Sequence, residues 1–167
     1  MEIPLTQRSL LDRMKGAALL DTATYEELEA DASATTQAAI VVGIVALCSA
    51  IGAVGQGGRG IITGLVGAFV SWLLWSGITY LIGDKLLGGT ATWGELLRTI
   101  GFAQTPGVLF ITGIIPLLSA PILFVAGIWI LIAGVVAIRQ ALDFSTGRAI
   151  GTALLGWLVM MVIYAIF

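Results

Sequence analysis

The sequence predicts an all-α fold, an integral membrane bundle of five transmembrane helices preceded by a short amphipathic cytoplasmic helix. Of its 167 residues, 58% are hydrophobic and only 11% are charged, whereas soluble domains carry about 25% charged residues. Its apolar runs of about 20 residues match the helix length that spans a hydrocarbon core of about 30 Å, and none alternates like a strand. We expect an amphipathic, acidic N-terminal segment over residues 1–34 and the five-helix domain over residues 35–167.

Composition argues against several function classes. Lys and Arg number 8 against 10 Asp and Glu, so the net charge of −2 does not suit a nucleic-acid binder. The chain has no histidine, the usual general base and a common ligand of zinc and haem. Cys48 is the lone cysteine and reads as a small packing residue. We therefore expect no enzyme activity, no catalytic residue, no metal site and no cofactor.

The N-terminal segment begins with an amphipathic helix over residues 5–20. One arc of the helical wheel is apolar, and charged residues lie opposite. The helix either lies in the membrane interface or docks on the cytoplasmic end of the bundle, and both arrangements can hold together. The apolar arc contains Leu10, Leu11, Met14, Ala17 and Ala18, and the opposite side contains Arg8, Asp12 and Lys15.

An acidic stretch follows over residues 21–31. The spacing of Thr24 and Glu27 predicts a capping box at a helix start. Its carboxylates, on Glu26, Glu27, Glu29 and Asp31, either form a docking surface for a basic partner or belong to a solvated helix.

The first two predicted spans cover residues 35–54 and 61–82. Ala46 and Ala50 in the first, and Gly60 and Gly64 at the start of the second, are small residues four apart, a spacing that allows close helix packing. The connection between them contains a formal G-x-G-x-x-G match. It is not a nucleotide site, because that fingerprint requires a preceding strand.

The third predicted span, residues 92–118, carries the polar break of the chain. Thr92 and Glu95 predict a capping box, and Arg98 lies one turn into the helix, where it can reach the interface. Pro106 cannot donate a backbone hydrogen bond, which predicts a kink. We expect Gln104 to point inward and to bond a freed carbonyl or a neighbouring helix.

A turn over residues 116–121 precedes the fourth span, residues 121–138, and the fifth covers residues 150–167. Gly147 and Gly151 form another pair of small residues four apart. If the N-terminus is cytoplasmic, that side carries seven of the 8 basic residues and all 10 acidic residues. The positive-inside rule then predicts a cytoplasmic N-terminus and a C-terminus on the opposite side. We expect the protein in the inner (cytoplasmic) membrane. A candidate recognition face on the cytoplasmic side comprises Glu26, Glu27, Glu29, Glu95, Arg98, Arg139, Asp143 and Arg148.

Three stretches resemble bacterial members of the Ypt-interacting-protein (Yip) domain family. They are TYEELEAD (Thr24–Asp31), ATWGELLRTIGFAQTPG (Ala91–Gly107) and VAIRQALDFSTGRAI (Val136–Ile150). The resemblance implies five spans, a cytoplasmic N-terminus and no catalytic residues. Eukaryotic relatives are similar to trafficking scaffolds that engage Rab-type GTPases through a longer cytosolic region, so the roughly 34 residues here argue against GTPase binding.

The leading hypothesis is a non-enzymatic membrane scaffold or accessory subunit that contacts lipid and packs laterally against other integral membrane proteins. A photosynthetic or respiratory complex is a candidate host. A small transporter or channel is an alternative, although no ionisable residue is placed well inside a span. A membrane-shaping or trafficking-like protein is a further alternative, which would depend on the amphipathic residues 5–20.

Overall fold

Residues 8–54 and 61–166, the part of the chain that this computed structural model describes, are almost entirely helical and contain no strand. The α-helices are α1 (Leu10–Ala18), α2 (Thr22–Ala30), α3 (Ala34–Gly52), α4 (Ile61–Tyr80), α5 (Trp93–Ala103), α6 (Pro116–Ala141) and α7 (Thr146–Ile166). A π-helical turn, Leu81–Leu86, continues α4, and a 3₁₀ helix, Thr105–Ile114, follows α5. The all-α prediction is confirmed.

Within the described residues, four helices are long and apolar enough to cross a membrane: Ala34–Gly52, Ile62–Leu86, Ser119–Ala141 and Thr146–Ile163. They correspond to the first, second, fourth and fifth predicted spans. The turn predicted over residues 116–121 is wrong. The chain turns at Ile115, whose backbone is extended, and α6 begins at Pro116 and continues through Pro121. Proline is readily accepted at a helix start, because the first amides have no partner there.

The third predicted span is two consecutive helices. α5 ends at Ala103, Gln104 is its C-cap, and Pro106 lies in the first turn of the 3₁₀ helix. The 3₁₀ helix is apolar but shorter than the four long helices, and α5 before it carries Glu95 and Arg98.

At two positions α3 lies very close to neighbouring helices. Gly52 and Gly113 face each other, and a Cβ built on Gly113 would stand 2.6 Å from the carbonyl oxygen of Gly52. A Cβ on Gly101 of α5 would stand 2.8 Å from the Cβ of Ala38. Only glycine allows these backbones to come so near.

The N-terminal helices α1 and α2 form a hairpin that packs against α5, α6 and the 3₁₀ helix. Tyr25 and Leu28 of α2 are fully buried in this contact. The Tyr25 hydroxyl donates to the carbonyl of Ala17 at 3.1 Å, and the Trp129 indole of α6 donates to the carbonyl of Ala18 at 2.7 Å. Of the two arrangements left open for α1, docking on the bundle is therefore present.

Candidate functional site

Polar side chains of α1, α2, α5 and the connections 87–92 and 142–145 meet at one end of the bundle, which we call the charged end. Thr90 donates to a carboxylate oxygen of Asp143 at 3.0 Å, and Arg148 donates to the carbonyl of Leu87. The amide of Gln140 donates to Glu26 at 3.1 Å. These bonds tie α2 to α6, and the α4–α5 connection to the α6–α7 region.

Arg13 is the most deeply buried charge at this end, with 1% of its surface exposed. Its guanidinium joins three helices. One nitrogen, Nη2, lies 2.9 Å from Glu27 and 2.5 Å from Asp31, and Nη1 donates to Gln37 of α3 at 2.9 Å. Burial disfavours the charged form of Arg13, but hydrogen bonds to Asp31 and Glu27 outweigh this and raise its pKa.

Arg98 of α5 also points into the protein. Its Nε donates to the carbonyl of Leu28 at 2.9 Å, and Nη2 donates to the carbonyl of Glu29. These carbonyls lie in the last turn of α2, where helix carbonyls lack partners and the dipole favours a cation. Arg98 therefore caps α2 from a neighbouring helix.

Glu29 lies half-buried beside other carboxylates. Burial raises its pKa to about 7, and the nearby charges of Glu95, Asp143 and Glu26 act in the same direction, while Arg98 opposes them. Near neutral pH, Glu29 is therefore only partly ionised.

The capping boxes proposed from the sequence have different outcomes. Thr92 and Glu95 form one at the start of α5, with both reciprocal hydrogen bonds present. The box at Thr24 and Glu27 is wrong, because α2 begins at Thr22 with Asp21 as its N-cap. Thr24 instead donates to Asp21 at 2.6 Å, and Glu27 binds Arg13.

The eight residues of the predicted recognition face thus divide into three groups. Glu27 and Arg98 are engaged within the protein, whereas Glu26, Asp143 and Arg148 are exposed. Glu29, Glu95 and Arg139 are half-buried. A recess of about 510 Å³ opens beside them, lined by Arg139, Gln140, Asp143, Phe144, Ser145 and Thr146. Among the described residues, no group of three or more Cys, His, Asp or Glu is arranged to hold a metal ion.

The small residues proposed for helix packing lie in different places. Ala46 is buried and Ala50 half-buried on α3. A Cβ added at Gly64, Gly147 or Gly151 would meet no atom within 4 Å, so each of these glycines borders open space. Gly60 lies outside the described residues.

At the polar break, the freed carbonyl is bonded by Thr105 and not, as the sequence had predicted, by Gln104. Pro106 cannot donate to the carbonyl of Phe102, and the Thr105 hydroxyl donates to that oxygen instead, at 2.6 Å. Gln104 is half-buried, and its side chain bonds no freed carbonyl among the described residues. It lines a groove of about 400 Å³ between α3, α4 and the 3₁₀ helix, together with Val45, Ala46, Ser49, Ala50, Ala53, Gly64, Ala68 and Phe110.

Sequence reasoning missed the role of Arg13 and the crossing at Gly52 and Gly113. A signal for Arg13 was present. At 100° per residue it lies about 40° from Ala17, at the edge of the apolar arc of the helical wheel and not on the side opposite to it. The glycine crossing had no such signal, because its two residues are far apart in the chain and only the tertiary fold brings them together.

Four long apolar helices and a docked helical hairpin define a multi-pass α-helical membrane protein. The family model of the Yip1 domain matches residues 21–167, nearly the whole chain, and the protein belongs to this family. The resemblance seen in the sequence is therefore confirmed. Comparisons with curated proteins and with solved structures gave no match.

Proposed function

We propose that this protein is a non-enzymatic membrane scaffold or accessory subunit, with a cytoplasmic N-terminus, that packs laterally against other integral membrane proteins. The observation that carries the proposal is the outward position of its glycines. On α4, α6 and α7, a Cβ added at Gly67, Gly127, Gly134, Gly147 or Gly151 would meet nothing within 4 Å.

Glycines on an outward helix face destabilise the helix, and they add packing only if a partner helix lies against them. Each glycine in a helix interior destabilises it by about 1 kcal/mol relative to alanine. In a membrane, small residues allow helices of different proteins to approach closely, and this packing drives association between helices. A chain that places glycines on three outward helix faces suits a protein whose neighbours lie beside it in the bilayer.

The charged end supports the same role. Its two most buried cations, Arg13 and Arg98, hold the chain's own N-terminal hairpin in place. Asp143 and Arg148 are the exposed charges beside the recess. They have opposite signs, as is usual for a solvent-exposed protein surface. We therefore look for partner contacts on the membrane-facing helix faces that carry the outward glycines.

Native purification tests the proposal. The full chain, tagged and extracted in a mild detergent without crosslinker, should bring down at least one other integral membrane protein in a fixed ratio. Gly151→Leu on α7 should reduce that recovery several-fold, because it fills a face meant for close approach. Leu154→Ile, an exposed position on the same helix, should leave recovery unchanged.

Recovery of the chain without any other membrane protein would overturn the scaffold proposal. Solute flux through liposomes that contain only this chain would instead favour the transporter alternative.

A further inference from the structure

The hairpin of α1 and α2 reaches down the flank of the bundle. The Trp129 indole, which donates to the carbonyl of Ala18 at 2.7 Å, belongs to the middle of the candidate span Ser119–Ala141. Along the helix axis, Trp129 lies about 18 Å from Ala141, where α6 reaches the charged end. The turn of the hairpin therefore lies beside a membrane-spanning helix, and not above its end.

Packing of a neighbouring residue gives the same depth. Ile130 follows Trp129 in α6, and a Cβ built on Gly107 of the 3₁₀ helix would stand 3.3 Å from the Ile130 side chain and 2.6 Å from that of Val45. Val45 lies about 17 Å from the start of α3. Because α1 itself contacts this 3₁₀ helix, its C-terminal part lies at the level of the apolar middle of the bundle.

The two outer ends of the hairpin, in contrast, lie at the charged end. Arg13, in the first half of α1, donates to Gln37 in the first turn of α3. The carbonyl of Leu28, in the last turn of α2, accepts from Arg98. The chain thus descends along α1, turns at residues 19–21 and returns along α2, which is the path of a re-entrant hairpin.

A row of exposed side chains runs along the outer face of α1. Leu11, Lys15 and Leu19 are spaced four residues apart, so they follow one another on the same face. The two leucines are apolar, and the lysine between them can extend its charge to lipid headgroups while its stem lies on apolar surface. This composition suits a helix in the zone between headgroups and acyl chains.

Lipid is the occupant that the surrounding surface favours for this row. Leu131 and Ile132 of α6 follow Trp129 within one turn and are exposed, on a helix long and apolar enough to span a membrane. Acyl chains that cover these two side chains lie at the depth of Trp129. They therefore also reach Leu19, which follows Ala18 directly, whereas a soluble partner could not reach this depth.

We propose that the α1–α2 hairpin inserts as a wedge into the leaflet at the charged end, and that the protein concentrates where the membrane is convex on that side. The hairpin widens the protein within one leaflet, and the described residues place no such docked hairpin at the opposite end. Interfacial helices bind best where curvature loosens lipid packing. The inference takes only its orientation from the proposed function, which makes this the cytoplasmic leaflet.

Spin labels test the depth of the hairpin in the full chain, reconstituted alone in liposomes in a Cys48→Ala background. A nitroxide on Leu19→Cys should collide several-fold more often with oxygen, which concentrates among acyl chains, than with a water-soluble nickel chelate. The matched control is Ala30→Cys, an exposed position at the other end of α2, where this preference should reverse.

The anchor of the hairpin is tested with the same label. Trp129→Phe removes the hydrogen bond to Ala18 and should shift the Leu19 label toward the nickel chelate. Trp157→Phe, an exposed tryptophan on α7, should leave the label where it is.

Curvature preference is measured with fluorescent protein in giant vesicles from which narrow tubes are pulled outward. Protein with its charged end outward should be several-fold denser on the tube than on the vesicle, and protein in the opposite orientation should be depleted. Leu11→Gln combined with Leu19→Gln should remove most of this difference. Leu86→Gln, similarly exposed at the charged end but outside the hairpin, should retain it.

Equal densities on tube and vesicle in both orientations would overturn the inference. So would a Leu19 label that meets the nickel chelate more often than oxygen, or one shielded from both reagents, because protein would then cover the row. Vesicles that hold this chain alone make these results independent of the scaffold proposal, which fails if the chain brings down no other membrane protein.

Discussion

The Thr105 hydroxyl donates a 2.6 Å hydrogen bond to the carbonyl oxygen of Phe102, the oxygen that Pro106 leaves without its usual helical partner. Both Thr105 and Phe102 are buried. The chain thus replaces the hydrogen bond lost at the proline locally, one residue before the proline. The Gln104 side chain is not needed for this and lines the groove between α3, α4 and the 3₁₀ helix.

Thr105→Val should destabilise the protein by about 1 kcal/mol, because it removes the buried hydrogen bond from this hydroxyl to the carbonyl of Phe102. Thr105→Ser keeps the hydroxyl and should lose less than half of that. The measurement is thermal unfolding in detergent, followed by the loss of the monodisperse peak in size-exclusion chromatography. Equal unfolding temperatures for the two variants would show that the hydroxyl contributes nothing.

Arg13→Met should loosen the N-terminal hairpin. It removes the buried cation beside Glu27 and Asp31, although Glu27 keeps its ion pair with Arg8. Breaking a buried ion pair costs about 3–5 kcal/mol. Since both carboxylates are partly exposed, we expect about 2–3 kcal/mol here. Limited proteolysis around residues 18–22 should become at least several-fold faster.

Lys15→Met is the matched control for this experiment, because Lys15 is exposed on the same helix. If both variants are cleaved at the wild-type rate, Arg13 does not hold the hairpin.

Docking of α2 should weaken as the pH rises through about 7. The pKa of Glu29 is raised from 4.5 to about 7 in the folded protein, so the folded state binds more protons than the unfolded state between these values. The stabilisation is complete below about pH 4.5 and is lost as the pH rises through 7. Because Glu29 is partly exposed to solvent, we expect a loss of only about 1 kcal/mol between pH 5.5 and pH 8.5.

Glu29→Gln should remove most of this pH dependence, as judged from thermal unfolding at the two pH values. Asp12 and Asp21 have lowered pKa values and stay ionised throughout this range, so they do not contribute to the change. A slope that persists in Glu29→Gln would assign the effect to another group.

The fold was largely predictable from sequence, and the site was not. Length and apolar content alone predict the four long helices, because a membrane leaves a backbone few ways to satisfy its polar groups. The box at Thr92 and Glu95 was predictable because both partners are local. The partners of Arg98, in contrast, are backbone carbonyls of α2, about 70 residues earlier in the chain, and no local pattern encodes them.

The outer face of α1 should touch lipid. Leu11 and Leu19 are 74% and 65% exposed although α1 packs on membrane-spanning helices. A fluorophore on Leu11→Cys, in a Cys48→Ala background, should be quenched by brominated lipid in nanodiscs. The same label on Asp12→Cys, one residue further round the helix, should be quenched at least several-fold less. Equal quenching would mean that α1 docks on the bundle without entering the interface.

Gly52→Ala should be among the most damaging single-methyl changes in this protein. A Cβ at that position would collide with the backbone carbonyl of Phe110, and backbone atoms cannot move aside as a flexible side chain can. We expect a loss of about 1–3 kcal/mol. Gly134→Ala is the matched control, because its Cβ would meet nothing within 4 Å and alanine favours the helix by about 1 kcal/mol. Thermal unfolding should therefore separate the two variants in opposite directions from the wild type. If Gly52→Ala unfolds at the wild-type temperature, the crossing of α3 with the 3₁₀ helix is not as close as described.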